Sequence, residues 1–434
     1  MRFDIVTIFP EFFGVLDISL LGKAREQGAV EVEVHDLRNW AQGKHRSVDD
    51  TPAGGGAGMV MRPDVWGSAL DQVLPAPSEP GRCVLAIPTP GGQPLTQQIL
   101  KDLAKADQIV VACGRYEGLD ARVAQHYRES GVEVLEFSLG DYVLNGGEVA
   151  AVALVEGVGR LLEGVVGNPE SLVEESHGQA GLLEYPVYTQ PRQWRGLDTP
   201  SVLTSGDHGK IAAWRRKKSL EKTARLRPDM LRKLNPSELS GADRAAIAAA
   251  GYLLVPEFAQ VRFRPAVVAD LAELSELAGI TFPDACPPQI SLADIEAHIA
   301  REFSQENLAS YLADPSAQLW VAESGGRLVG YSLTLRQAPQ DLGAIPRGSA
   351  YISKAYTLAE YRGSGVSAAL VEQAIEQARE HWDPSAVALA TNIGNKRAAR
   401  FYRKLGFRRV GRRHYLVGEA DNIDDVFVLD FTDE

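Results

Sequence analysis

The sequence predicts an α/β protein built on a parallel sheet, followed by a second region of α+β character. Three observations carry that expectation. First, short apolar runs alternate with helix-period segments through the first 163 residues, the pattern of strand-helix-strand units. Second, several of those apolar runs end in glycine-rich turns, where open α/β sheets hold ligands. Third, beyond residue 259 the order changes to helices first and strands afterwards, with two further glycine-terminated helix signals.

The elements follow in order. Residues 2–8 read as a strand and 10–27 as a helix, and Val30, Val32 and Val34 alternate as a second strand. Residues 38–61 read as a loop, with Gly54, Gly55, Gly56 and Gly58 clustered in it. Strands near 82–87, 107–113 and 132–137 alternate with helices near 94–105, 118–128 and 147–163. The most informative stretch runs from Ser138 to Glu148, with three glycines between a strand and a helix. Glycine has no Cβ, so backbone there can turn sharply and approach a ligand. Val110–Asp120 is a second such turn and Ile87–Gly92 a third. Three such ends at one sheet edge could form one pocket. None is a phosphate loop, because no Gly-Lys-Ser or Gly-Lys-Thr follows, and none has the three spaced glycines of a dinucleotide site.

The turns GRYEGLDARV (114–123) and SLGDYVLNGGE (138–148) resemble those of the bacterial tRNA (guanine-N1) methyltransferase family that modifies position 37. So do FDIVTIFPEFF at the start, KHRSVDDTPAGGGAGMVM (44–61), PESLVEESH, YTQPRQWRG and LTSGDHGKIAAWRRKKSLEKT, in the same order, from Met1 to about Tyr252. The resemblance implies the SPOUT class: a parallel sheet closed by a trefoil knot through the cofactor turns, although topology rules disfavour threading. It implies a knotted domain over 1–163, a linker over 164–206 and a small helical tRNA-binding domain over 207–258. It also implies a homodimer with the active site between subunits, a magnesium requirement, and S-adenosylmethionine held by backbone around Pro88, Thr89, Gly114, Leu139, Gly140, Tyr142, Leu144, Gly146 and Gly147. No local carboxylate cluster in the sequence indicates the magnesium site.

Guanine N1 carries a proton and is a poor nucleophile, so its methylation needs a base. The resembled family uses an aspartate; Glu175, in Val173–His177, falls on that position and is one methylene longer. Arg160 matches an arginine that steadies the guanine, and Glu117 a carboxylate at the pocket. His45, Arg46 and Asp49 match a substrate-side loop. Without the resemblance, Glu175 reads as a solvated loop residue, Arg160 as a surface arginine and Glu117 as an acid at a helix start.

The net charge of −12 argues against indiscriminate nucleic-acid binding, yet a local basic face remains. Lys210, Arg215, Arg216, Lys217, Lys218, Lys222, Arg225 and Arg227 lie close together, with Ile211, Trp214 and Leu226 left for packing. A solvated helix explains such a run; in a tRNA enzyme, phosphate contact explains it better. Cys83, Cys113 and Cys286 are widely spaced and odd in number, which predicts reduced thiols in the cytoplasm. No apolar run is long enough to span a membrane.

From 259 onward, helical patterns at 267–277 and 291–313 precede strands near 317–323, 328–336 and 349–357. Glu360–Ser367 then opens a helix, a turn whose amides suit a pyrophosphate. Asn395–Phe407 reads as a helix closed by Gly406. This pair resembles the GNAT acetyltransferase family over 259–434. The resemblance implies acetyl-CoA held by Arg362, Gly363, Gly365 and Asn395, with Tyr402 as the acid for the departing thiolate. Ser367 stands where the family has glycine or alanine. No general base is evident and the acceptor amine is unknown. Two other readings stay open: a non-catalytic RNA-binding protein for the first half, and a structural or tRNA-docking module for the second.

Overall fold

The computed structural model describes residues 1–75, 81–166, 175–178, 180–287, 290–343, 345–417 and 420–431. Val173 and Glu174, beside the predicted base, lie outside them. The chain divides into two compact units, Met1–Gln179 and Ala180–Glu434.

The first unit contains β1 (Arg2–Thr7), α1 (Ser19–Glu26), β2 (Glu31–Asp36), a small hairpin of β3 (Asp49–Asp50) and β4 (Val60–Met61), and α2 (Pro63–Val73). It continues with β5 (Cys83–Pro94), α3 (Gln97–Leu103), β6 (Gln108–Ala112), α4 (Ala121–Glu129), β7 (Glu133–Ser138) and α5 (Glu148–Gly159). Five strands form one sheet in the order β2-β1-β6-β5-β7, and every pair is parallel. Strand side chains alternate between two cores. Phe3, Ile5, Val84, Ala86, Ile109 and Val111 pack with α1, α3 and α5. Leu85, Ile87, Val110 and Ala112 pack on the other face with Trp66 and Leu70 of α2 and Val123 and Tyr127 of α4. Burial on both faces explains why these strands read as continuous apolar runs.

Two expectations are corrected here. The helix expected over 10–27 is a 3₁₀ turn, Pro10–Asp17, followed by α1. Its buried residues, Phe13 and Leu16, are three apart, the repeat of a 3₁₀ turn. Ser19 then sits at φ 63, and the chain doubles back so tightly that a Cβ on Gly22 would lie 2.2 Å from the Asp17 carbonyl oxygen. The third glycine-rich segment is not a strand-to-helix turn but a bulge inside β5: Pro88 and Gln93 both face Phe137, and Thr89–Gly92 are thrown out of the ladder between them.

Beneath the sheet edge, Asp4 ties three strands together. It is fully buried and accepts hydrogen bonds from Arg2 (2.7 Å) and Gln108 (2.7 Å), with His35 Nε2 at 2.8 Å. These contacts hold its carboxyl well below the usual aspartate range against the opposing pull of burial.

In the second unit an irregular segment with one short hairpin, β8 (Gln193–Trp194) and β9 (Leu197–Asp198), leads into α6 (His208–Leu226), α7 (Pro228–Leu231) and α8 (Gly241–Ala249). Asp207 caps α6, and Ser240 with Asp243 forms a capping box on α8. The packing face of α6 is Leu220, Thr223 and Ala224, whereas Leu226, expected to pack, is 54% exposed. It lies at the helix end, off the 220–224 stripe.

The remainder comprises β10 (Tyr252–Leu253), β11 (Ala259–Pro265), α9 (Leu271–Thr281), α10 (Leu292–Glu302), α11 (Gln305–Ala313), β12 (Ala317–Ser324), β13 (Arg327–Leu335), β14 (Ala350–Thr357), α12 (Val366–Trp382), β15 (Ala386–Asn392), α13 (Lys396–Lys404), β16 (Arg408–Val417) and β17 (Ala420–Asp430). The helical stretch expected over 291–313 is two helices, because the Ser304 side chain accepts from the Asn307 amide and starts a new one. The eight strands run β10-β11-β12-β13-β14-β15-β17-β16. All pairs are antiparallel except β14 with β15. That parallel pair is joined only from Ala350 to Ile352, after which the strands part. No helix among the described residues is long and apolar enough to cross a membrane.

Asp4→Ala leaves a half-exposed guanidinium and a part-buried imidazole and amide without their acceptor, an expected loss of about 1–3 kcal/mol in urea unfolding. Because its folded pKa is depressed, Asp4 contributes stability above its unfolded pKa and loses it as the pH falls toward the folded value. The gap between wild type and Asp4→Ala should therefore narrow on acidification below about pH 4.

Candidate functional site

At one edge of the parallel sheet the three glycine-rich segments meet, and Gly147 is the point of contact. A Cβ there would sit 3.1 Å from Cys113 Cα, 3.1 Å from Pro88 Cγ and 3.2 Å from the Gly114 amide nitrogen. The Gly147 amide donates to the Gly114 carbonyl at 2.8 Å, and Arg115 pairs with Gly146 in an isolated bridge. Beside this contact lies a buried ion pair. Glu148 is 1% exposed; its Oε2 lies 2.9 Å from Arg115 Nε, and its Oε1 accepts from the Thr7 hydroxyl at 2.9 Å. One side chain thus joins the start of α5, the turn after β6 and the end of β1. Arg115 also stacks over the Phe9 ring, 4.6 Å from its centroid. Gly146 is needed because a Cβ would lie 2.2 Å from Arg115 Nε.

The expected cofactor residues line these turns. Pro88 and Thr89 are half-buried on the β5 bulge; Gly114 is buried; Leu139 and Gly140 are half-buried after β7; Tyr142 and Leu144 are exposed. Glu117 belongs to the same place: its amide donates to the Met59 carbonyl at 2.9 Å, and a Cβ on Gly58 would collide with its carboxylate. The glycine cluster at 54–58 is therefore stitched to the second turn. His45 and Arg46 are exposed earlier in that loop, and Asp49 opens β3.

Arg160 and Glu175 come together. Arg160 follows the last turn of α5 and makes a two-pronged contact, Nη1 to Glu175 Oε2 at 2.8 Å and Nη2 to Oε1. The guanidinium holds the Glu175 carboxyl below the usual glutamate range. Twelve residues separate Glu148 from Arg160, about 18 Å at ~1.5 Å per residue. The pair and the glycine-rich turns thus occupy opposite ends of α5. Arg115, Glu148 and Thr7 were not singled out from the sequence. An acid directly after Gly146-Gly147, in an otherwise apolar helix, was the signal that could have found Glu148.

On α6, several cations have partners within the protein. Lys210 lies 3.7 Å from Asp207, Arg216 3.1 Å from Asp243 and Lys218 2.6 Å from Glu221, while Arg215 stacks over Tyr185. Lys217 is exposed.

The second unit contains a cavity of about 1210 Å³ where β14 and β15 part. Arg362, Gly363 and Gly365 line it ahead of α12, and Asn395 and Tyr402 line it from α13. Gly363 (φ 79) and Gly365 (φ 102) are in the left-handed region, which a β-carbon disfavours. Arg362 pairs with Asp284. Ser367 shares a hydrogen bond of 2.9 Å with Thr357, so the hydroxyl that departs from the family pattern is satisfied. Asn395 caps α13, its oxygen accepting from the Ala398 amide at 3.0 Å. Burial pushes the Tyr402 hydroxyl up to about 12, which keeps its proton in place at neutral pH.

A parallel sheet with glycine-rich segments converging at one edge has the arrangement in which open α/β domains hold small molecules. Comparison with known proteins makes this specific: the family model tRNA (Guanine-1)-methyltransferase TrmD matches residues 1–233, and the chain belongs to that family. A protein described as tRNA (guanine-N(1)-)-methyltransferase from Paenarthrobacter aurescens (strain TC1) is 55% identical over 255 residues, 59% of this chain and 95% of its own length. One of the same description from Leifsonia xyli subsp. xyli (strain CTCB07) is 60% identical over 235 residues, 53% of this chain and 100% of its own. A third, from Clavibacter sepedonicus, is 58% identical over 231 residues, 53% of this chain and 99% of its own. The Acetyltransferase (GNAT) family model matches residues 284–407, so the chain also carries a GNAT domain.

Glu148→Gln removes the counter-charge of Arg115 in a buried setting. The expected loss is about 3–5 kcal/mol in urea unfolding, the usual cost of breaking a buried pair. Val149→Gln, at an exposed position one residue away, is expected to change stability by less than about 0.5 kcal/mol.

Proposed function

We propose that this protein transfers a methyl group from S-adenosylmethionine to N1 of guanosine 37 in tRNA. The observation that carries the reading is the meeting of three turns around Gly147, in a chain of the tRNA (guanine-1) methyltransferase family. The residues fit the donor: glycine at 146 and 147 lets the segments meet with no side chain between them, so backbone groups are left at the sheet edge to hold the nucleoside and amino-acid ends. When bound, S-adenosylmethionine supplies an electrophilic methyl on a cationic sulfur. Backbone around Pro88, Thr89, Gly114, Leu139, Gly140, Tyr142, Leu144, Gly146 and Gly147 would hold it. Glu117 accepts from the guanine edge. Glu175 would take the N1 proton while N1 bonds to the methyl, the pair of the broken carbon–sulfur bond staying on sulfur as a neutral thioether, and Arg160 would orient that carboxylate and donate to guanine O6. His45, Arg46 and Asp49, with Lys210 and the cations of α6, meet the tRNA.

The working form is a homodimer. Within one chain the Arg160–Glu175 pair stands about 18 Å along α5 from the cofactor turns. A second copy that lays its Arg160 end beside those turns closes the gap. Exposed apolar side chains support this: Phe12, Val15 and Ile18 near the 3₁₀ turn that packs on α5, and Tyr142, Val143 and Val149 at its start. The reading takes the domains as 1–163, 164–206, 207–258 and 259–434, with the turns of the first threaded as a knot. The protein works in the cytoplasm, with free thiols at Cys83, Cys113 and Cys286. Among the described residues the one close group of His, Asp and Glu side chains, Asp4, Glu33 and His35, is occupied by the Arg2 guanidinium. No step is assigned to magnesium. The GNAT domain uses acetyl-CoA to acetylate an amine, with Tyr402 protonating the departing thiolate.

Glu175→Gln should lower single-turnover methyl transfer to tRNA by about 10²–10⁴-fold with little change in donor affinity; an unchanged rate removes Glu175 as the base. Arg160→Leu lets the Glu175 pKa rise toward its ordinary value, so the acid limb of the rate profile should move to higher pH.

A further inference from the structure

The cavity of the second unit is not enclosed by the GNAT domain alone. Trp214, Arg216 and Lys217 of α6 and the first turns of α8 form part of its wall. The contact is close at the place that matters for an anion: a Cβ on Gly365 would lie 2.2 Å from the Arg244 carbonyl oxygen. The glycine turn ahead of α12 is thus seated directly on α8. Its left-handed Gly365 is required twice, for φ and for this approach.

The charges around the cavity are strongly unequal. The GNAT side contributes Arg362, Arg397, Arg400 and Lys404. The helical side contributes Arg216, Lys217 and Arg244. Three acids oppose them: Asp284 pairs with Arg362, Asp243 pairs with Arg216, and Glu372 lies across from Lys217. Burial pushes the Glu372 carboxyl up, while Lys217 pulls it down. Arg244 Nη1 donates to the Pro236 carbonyl at 3.2 Å, which fixes this cation in the cavity wall. A ligand with several phosphates and a flat base matches these walls: cations for the phosphates, Trp214 as a stacking surface.

Resting on the acyl-CoA reading above, we propose that the helical domain completes the acyl-CoA site. In this arrangement Arg362 and the α12 amides take the pyrophosphate, and Lys217 and Arg244 take the remaining phosphate on the ribose. The helix that carries the basic tRNA-facing run would then share one side with the nucleotide thioester.

The test uses the full chain and calorimetric titration of acetyl-CoA and of its 3′-dephospho form. Wild type should bind acetyl-CoA about 10-fold or more tightly than the dephospho form. Lys217→Ala, at an exposed position that folding does not need, should weaken acetyl-CoA about 5- to 10-fold and leave the dephospho form nearly unchanged. Lys217→Arg should restore most of the loss, and Arg244→Ala should act in the same direction as Lys217→Ala. If wild type binds neither form while still methylating tRNA, the acyl-CoA reading itself is overturned. If it binds acetyl-CoA but both alanine variants keep the wild-type preference for acetyl-CoA over the dephospho form, the acyl-CoA reading stands and the shared site is overturned.

Discussion

The first unit depends on one close approach and the ion pair beside it. Three backbone segments can meet at the sheet edge only where Gly147 has no side chain. Glu148, the next residue, then fixes that meeting by reaching Arg115 and Thr7 from a position with almost no solvent contact. A buried carboxylate is costly unless it is paired. Here the cost is offset because Oε1 accepts from the Thr7 hydroxyl and Oε2 faces the Arg115 guanidinium, on two different segments. The result ties the turns after β6 and β7 to the end of β1.

The strands of this unit were legible in the sequence because β1, β5 and β6, covered on both faces, write continuous apolar runs and the edge strand β2 alternates, and β1, β2, β5, β6 and β7 all begin within a residue or so of their expected places. Helix ends were less legible. At 10–17 the buried Phe13 and Leu16 suit either a helix of period 3.6 or a 3₁₀ turn, and only the tight return at Asp17–Gly22 separates the two. The Ile87–Gly92 segment looked like a turn because prolines and glycines mark both turns and bulges. The close partners of Arg160 and Glu148 were invisible for a different reason. Pairing between residues 15 and 33 positions apart is a property of packing, and no local pattern encodes it.

In the second unit the telling feature is where pairing stops. β14 and β15 are the one parallel pair in an otherwise antiparallel sheet, and their ladder ends at Ile352 and Leu389. The two strands continue to Thr357 and Asn392 without one another. Backbone groups left in such a gap need new partners. The opening is lined by Thr357 and Ser367 at the α12 end and by Tyr402 at the α13 end, so a ligand entering it meets both helices. The sequence indicated those two helices through Gly363, Gly365 and Gly406; the parting of the strands it could not indicate.

The same unit shows why a helix dense in lysine and arginine is not simply a basic surface. Helix α6 buries Leu220, Thr223 and Ala224 on one stripe, so its cations must distribute over what remains. Arg216 and Lys218 are neutralised by Asp243 and Glu221, and Arg215 lies flat on Tyr185. Those contacts fix the helix's orientation and remove part of its field. Lys217 turns instead toward the cavity and Glu372. A charge count along the sequence treats all of these groups alike. Their geometry divides them into cations that hold the domain together and cations still able to meet an anionic ligand, and that division sets how strongly this helix can attract any polyanion.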